Sequence, residues 1–148
     1  MIPIVGYNFG AKRTDRVKEA IKYFLKLGVT VTIISTIIVS LFPAQILNAF
    51  DVSKETVEIG VVAFRILSIG FVFASVSMML SATFQAFGNA TYSLIIKLLR
   101  KLIIAVPIII VFKNIVGMNI IWIAFTVAEI ITMIVSIFMF KNIILFLL

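Results

Sequence analysis

Two long stretches of the chain carry no charged side chain. The first covers residues 27–50 and the second covers residues 66–96, which makes 24 and 31 consecutive uncharged residues. A helix rises about 1.5 Å per residue and a bilayer core is about 30 Å thick, so about 20 such residues span a membrane. The second run is too long for one modestly tilted span, and Gly88-Asn89 is the turn signal that divides it.

The composition excludes other classes of protein. Hydrophobic residues make up 63% of the 148 residues and charged residues 13%, against about 25% charged residues in ordinary soluble domains. The chain has no cysteine and no histidine, so it lacks thiolate metal ligands and the usual general base. It also has no Walker loop and no nucleophile–base pair. We therefore expect a membrane protein that is not an enzyme and requires no cofactor.

We predict an all-α bundle with four transmembrane helices. The third span must include Lys97, Arg100 and Lys101, because only eleven apolar residues follow this cluster, and their long side chains would snorkel toward the headgroups. Pro107 predicts a kink in that span, since it leaves the carbonyl of Ile103 without its helical donor. The four spans are expected at about 27–47, 60–85, 93–112 and 119–140.

The charges between the spans predict the orientation. Six basic residues fall within 12–26, and three more fall within 97–101. The stretch 51–58 is acidic, and Lys113 is the one charge in the remaining loop. We expect a multi-pass protein of the cell (inner) membrane, and the positive-inside rule places its 12–26 segment and its C-terminus on the cytoplasmic side.

Residues 1–26 are expected to form the end of a preceding helix followed by a basic loop. Within this loop, residues 15–26 have a helical pattern, with Val17, Ile21 and Phe24 on one face and lysines at four-residue steps on another. Such a helix lies in the membrane interface with its lysines toward anionic lipids. It could move between transport states or simply anchor the topology.

Two charged residues fall inside the expected spans. Glu129 lies near mid-membrane, where an ionised side chain costs about 2.5–3.5 kcal/mol and is usually paired, protonated or exposed to a water-filled cavity. Arg65 lies at a similar depth on another span. We therefore hypothesise an Arg65–Glu129 pair and consider Glu129 a candidate proton or cation site. Alternatively, Arg65 snorkels outward and Glu129 is a structural hydrogen-bonding group.

The second span also carries a polar stripe that includes Ser75, Ser81 and Gln85. Such side chains allow close helix approach and hydrogen bonds between helices. The same stripe could line a substrate cavity, and the sequence leaves both interpretations open.

Several segments resemble a known family in their residues, their order and their spacing. They are Pro3–Lys12 (PIVGYNFGAK), Arg16–Ala20 (RVKEA), Phe84–Gly88 (FQAFG), Tyr92–Leu94, Leu98–Arg100, Pro107, Gly117–Ala124 (GMNIIWIA) and Glu129. Together they resemble the C-terminal part of the multidrug and toxic compound extrusion (MATE) transporters, and the resemblance covers nearly the whole chain.

The resemblance implies the last four helices of a twelve-helix transporter with two lobes. It implies antiport, in which H⁺ or Na⁺ entering the cell drives export of drugs or organic cations, with the lobes rocking about a central cavity. The first lobe of the family has no counterpart here, so we expect a C-terminal fragment whose missing partner is that lobe. The family's acidic ion ligands lie in its first, seventh and tenth helices. They have no counterpart here either, because the first and seventh helices are absent and the second span, which corresponds to the tenth, has no acidic residue after Glu58.

Other functions remain open at this point. The chain could belong to a lipid-linked sugar flippase-like carrier with the same fold. It could also be a stand-alone four-helix membrane protein, either a small dimeric transporter or an interaction subunit. The partners expected in every case are membrane lipids rather than nucleic acid, because the basic loop directly precedes a span.

Overall fold

The computed structural model describes residues 1–104, 106–108, 110–111 and 121–147. Their regular structure is helical throughout, which confirms the all-α class. Three of the helices are long and apolar enough to cross a membrane, over residues 14–41, 54–86 and 122–142. The elements are α1 (Ile2–Gly10), α2 (Thr14–Leu41), α3 (Pro43–Asn48), α4 (Lys54–Ala86), α5 (Ala90–Leu98), a π-helical segment (Leu99–Ile104) and α6 (Ile121–Leu147).

The first long helix, α2, differs from the predicted interfacial helix followed by a span. It is one continuous helix of 28 residues. Val17 and Ile21 on its first turns are buried against Val5 of α1, so this apolar face packs against protein instead of lying on a lipid surface. The helix ends at Leu41 rather than at residue 47, because Pro43 lacks an N–H group and begins α3.

Helix α4 is the central helix of the bundle and packs against α1, α2, α3, α5 and α6. It begins at Lys54, six residues before the predicted start, because the Ser53 side chain accepts a hydrogen bond from the Thr56 N–H at 3.3 Å and caps the helix. The buried residues of α4 are mostly small, which lets neighbouring helices approach closely.

The turn after α4 lies at the expected Gly88-Asn89 pair. Gly88 adopts a left-handed φ of 78°, the Asn89 N–H donates to the Phe84 carbonyl at 2.9 Å, and the Gly88 N–H donates to the Gln85 carbonyl at 3.0 Å. These two bonds form a Schellman motif, which glycine favours because it has no Cβ. The short turn makes α4 and α5 neighbours at one end of the bundle.

The third predicted span is irregular. It begins at Ala90, and after nine residues of α-helix it changes to the π-helical segment. Pro107 lies in a helical stretch over 106–108, and the expected kink there stays a prediction. The predicted end of this span at 112, the loop with Lys113 and the first residues of the 119–140 span lie outside the described residues.

Candidate functional site

An ion pair joins the π-helical segment to α6. The Arg100 Nε–H donates to both carboxylate oxygens of Glu129, at 2.8 Å each. Of the two side chains, 25% and 21% respectively are exposed. A pair in this setting is shielded from bulk water, so its attraction is stronger than that of a surface pair.

The ion pair lies beside the middle of α4. A methyl group at Gly70, the seventeenth of its 33 residues, would come within 3.7 Å of the Glu129 Cγ atom. One turn earlier, the Thr126 hydroxyl donates to the Ile66 carbonyl at 3.0 Å. Glycine at position 70 therefore leaves the space in which α6 brings its carboxylate against the central helix.

The structure corrects the partner proposed for Glu129. Arg65 is exposed, and its carbonyl accepts a hydrogen bond from the Ser68 hydroxyl at 3.1 Å. It lies five residues before Gly70, and at 100° per residue this places the two about 140° apart around α4. Arg65 therefore lies more than a turn away from the level of Glu129 along α4 and on a different face, and Arg100 forms the pair instead.

Arg100 was expected only to snorkel toward the headgroups. One signal in the sequence could have identified it, because it lies about ten residues after the Gly88-Asn89 turn and hence near mid-membrane. Depth alone could not choose between Arg65 and Arg100, since that choice depends on the direction in which each helix faces α6.

Three cavities meet at Arg100. The largest, about 590 Å³, is lined mainly by apolar residues of α2 and α4, among them Phe24, Leu27 and Phe71. A second, about 400 Å³, lies between α4 and the α5–π region. A third, about 150 Å³, surrounds the ion pair. Because Arg100 lines all three, a change in its position alters each of them.

Ser75 of the polar stripe faces α2. It lines the largest cavity and accepts a hydrogen bond from the Thr32 hydroxyl at 3.2 Å. Its own hydroxyl donates to the Val72 carbonyl at 2.8 Å. Ser75 thus has a packing contact and a place on the cavity wall at the same time.

Ser81 and Gln85 meet Ser93 of α5. The two serine hydroxyls lie 2.8 Å apart, and the Gln85 Nε2 group donates to the Ser93 hydroxyl at 2.7 Å. Both residues also line the 400 Å³ cavity. These bonds hold α5 against the last turns of α4. They thereby fix the position of the cavity wall that α5 forms.

The acidic side chains of the described residues do not gather into a metal site. No group of three or more histidine, cysteine, aspartate or glutamate side chains that could hold a metal ion is found there. The salt bridge found within the described part of the chain is the Arg100–Glu129 pair, and the nearby Lys97 and Lys101 side chains are exposed.

The family model MatE matches residues 1–111, three quarters of the chain. The chain belongs to the MATE family. MATE members are membrane transporters rather than enzymes, and the match together with the long apolar helices supports a multi-pass membrane protein. A search of curated proteins found no match.

Solved structures of transporters have the same fold. A MOP superfamily transporter from Pyrococcus furiosus, described as having a binding pocket of reverse polarity, superimposes with a TM-score of 0.92 at 24% identity over 99% of this chain. An inward-facing multidrug resistance MATE family transporter gives 0.92 at 22% over 99%, and the bent form of the Vibrio cholerae transporter VcmN gives 0.88 at 16% over 95%.

The chain spans about a third of the length of these structures. The matches cover 33%, 34% and 32% of the solved chains respectively. At these identities the likeness shows the fold, and the fold is that of one part of a transporter.

Proposed function

We propose that the protein works as part of a secondary active transporter that exports amphipathic organic compounds in exchange for H⁺ or Na⁺. The observation that carries the proposal is the Arg100–Glu129 pair beside the middle of α4. Its arginine also lines the two larger cavities. Membership of the MATE family supports the transport role.

The ion pair offers a physical means of coupling. A proton or a sodium ion that binds the Glu129 carboxylate neutralises the charge that attracts Arg100. The guanidinium group is then free to turn toward another partner in one of the cavities. A ligand can shift the equilibrium between these two arrangements only as far as its affinities for them differ. A charged ligand distinguishes strongly between a carboxylate without a bound cation and one that has bound a proton or a sodium ion.

The orientation forms part of the proposal. We place the α1–α2 turn, the α4–α5 turn and the C-terminus in the cytoplasm, in the cell (inner) membrane. The first two turns are neighbours in the structure: the Phe9 and Phe87 ring centroids lie 4.5 Å apart, and a methyl group at Gly6 would come within 3.1 Å of the Ala86 carbonyl oxygen. Both neighbouring segments are basic, which favours the cytoplasmic side.

The remainder of the transporter forms the other part of the proposal. The 18-residue apolar window of α2 has no buried residue within this chain, so both lipid and additional helices have room to cover it. We propose that a further lobe completes the cavities at this side.

Efflux of ethidium by cells that express the full gene product tests the function. We expect Glu129→Gln to remove the dependence of efflux on the imposed proton or sodium gradient, because the amide cannot exchange Arg100 for a cation. The matched control is Glu58→Gln, which removes an exposed carboxylate near the start of α4, away from the ion pair. Gradient-driven efflux that is equal in the wild type and in Glu129→Gln would refute the coupling role.

The orientation has its own test. The chain has no cysteine, so single cysteines at Lys12 and Asp51 can be labelled with a membrane-impermeant maleimide in intact cells. We expect labelling at position 51 alone, and labelling at position 12 alone would reverse the proposed orientation.

A further inference from the structure

The 400 Å³ cavity between α4 and the α5–π region has an uneven distribution of charge. Lys97, Arg100 and Lys101 line one wall, all within a turn and a half of the chain. Hydroxyl and amide groups from α4 line the other, and no acidic side chain is among the described residues around it.

The positive charge of this wall is only partly compensated. Glu129 neutralises Arg100, and neither lysine has a carboxylate partner among the described residues. The other five acidic residues of the chain fall within 15–19 and 51–58, far from this cavity in the sequence and on other helices. Both lysines are exposed in this chain, and two uncompensated ammonium groups on one wall of the cavity favour an anion while they repel a cation.

Arg100 has donors left for such an anion. Its bonds to Glu129 use the Nε–H alone, so the N–H groups of its two terminal nitrogens make no bond to that carboxylate. A guanidinium group carries five N–H donors in a fixed fork, and this fork suits phosphate and carboxylate groups. The arginine can thus hold Glu129 on one side and an anionic ligand on the other.

An apolar cavity adjoins the basic one. Met78 and Arg100 line both the 400 Å³ and the 590 Å³ cavities. The larger cavity continues past Met78 to apolar side chains such as Phe24 and Phe71. A molecule with a charged head in the first cavity and an apolar tail in the second would therefore find matching surroundings at both ends.

We propose that Lys97 and Lys101 bind the anionic head of an amphiphile, a phosphate or a carboxylate, whose apolar part lies beside Met78 in the larger cavity. The inference rests on the proposed function where it names the substrate class, and it favours anions where the family resemblance implied organic cations. The anion has two possible sources, a membrane lipid headgroup or a compound taken up from solution, and they share this chemistry.

Binding measured by calorimetry tests the site. The full gene product in phosphatidylcholine nanodiscs is titrated with octyl phosphate and with octyltrimethylammonium, which have the same tail and opposite charges, and empty nanodiscs give the baseline. We expect octyl phosphate to bind at least about 10-fold more tightly, because its phosphate can accept charge-assisted hydrogen bonds that the trimethylammonium group cannot. The double variant Lys97→Gln/Lys101→Gln should lose that preference.

Two control variants separate charge from folding. Lys54→Gln/Lys141→Gln removes two exposed lysines elsewhere on the bundle and should leave the preference unchanged. Lys97→Arg/Lys101→Arg retains the charge and should also keep it. Equal affinity for the two probes, a preference for the cation, or a preference unchanged in Lys97→Gln/Lys101→Gln would overturn the proposal.

A further titration identifies the source of the anion. Nanodiscs that contain phosphatidylglycerol should weaken octyl phosphate binding if a lipid headgroup occupies the site, and leave it unchanged if the site takes a compound from solution. Because the titrations use no ion gradient, the site can fail while ethidium efflux retains its coupling. Conversely, loss of coupling leaves the binding result intact.

Discussion

The two faces of α4 are held to their neighbours by different chemistry. Toward α2 the contacts are neutral: the Ser40 and Ser68 hydroxyls lie 2.9 Å apart, and the Thr36 hydroxyl donates to the Ser68 carbonyl at 2.7 Å. Toward α6 the Thr126 hydroxyl donates to the Ile66 carbonyl, and beside this contact α6 is also joined to the π-helical segment by the Arg100–Glu129 ion pair.

The α2–α4 contact therefore does not depend on ion binding, whereas the contact of α6 with the π-helical segment does. Hydroxyl bonds between membrane helices contribute about 0.6 kcal/mol each on average and do not depend on any ion. The ion pair can be dissolved by a single proton or cation. We therefore expect α2 and α4 to move as one body, and changes in ion binding to act between α4, the π-helical segment and α6.

The strongest test of the comparison removes the Arg100–Glu129 ion pair. Glu129→Ala leaves Arg100 without its carboxylate in a shielded site and should lower the free energy of unfolding by about 3 kcal/mol. Unfolding by sodium dodecyl sulfate titration measures the change. A loss below about 1 kcal/mol would mean that the pair does not hold the π-helical segment to α6.

A double variant sharpens the same point. Arg100→Met/Glu129→Met replaces the pair by apolar side chains, and such replacements are often neutral for stability. We expect it to recover most of the stability lost in Glu129→Ala while gradient-dependent efflux stays absent.

The second test overfills the α4–α6 contact. Gly70→Leu adds a side chain at a point where a methyl group already comes within 3.6 Å of the Thr126 hydroxyl, so α6 must shift, at a cost of about 2 kcal/mol. Gly70→Ala is the matched control: its methyl group makes ordinary contacts only, and its stability should stay within about 0.5 kcal/mol of the wild type.

The third test weakens the neutral contact between α2 and α4. Ser68 is completely buried, and Ser68→Ala removes its hydroxyl contact with Ser40, which should cost about 1 kcal/mol. Ser35→Ala serves as the comparison, because the Ser35 hydroxyl donates only to the Val31 carbonyl of its own helix. Ion-dependent efflux should persist in Ser68→Ala. Its loss would contradict the conclusion that the α2–α4 contact takes no part in the response to ions.

The smallest effect is expected at Arg65. This residue is exposed and lies away from Glu129, so Arg65→Gln should change the free energy of unfolding by less than about 0.5 kcal/mol. Additivity with Glu129→Ala in a double-mutant cycle would agree with the structure. A coupling above about 1 kcal/mol would restore the Arg65–Glu129 pair that depth suggested.

The features that the sequence predicts well depend on local chemistry. Charge-free runs identify long apolar helices because the length of such a helix must match the bilayer. The Gly88-Asn89 turn could be located because a left-handed residue after a helix is usually glycine. The helical class needed no information on which helices touch.

The features that it misses depend on contacts between helices. The continuity of α2 follows from the burial of Val17 and Ile21 against α1, and an amphipathic pattern does not say whether protein or lipid covers its apolar face. The partner of Glu129 required the direction of each side chain around its helix. The cavities arise only where several helices leave space between them.

The π-helical segment has a consequence for helical phase. A π-turn holds about one residue more than an α-turn, so it shifts the direction of the side chains that follow by about 100° relative to an uninterrupted α-helix. Arg100 is the second residue of Leu99–Ile104, so its bond to Glu129 attaches α6 to the point at which this change of phase begins. Relaxation of the segment to a regular α-helix would therefore redirect the residues after Arg100 far more than the guanidinium group itself.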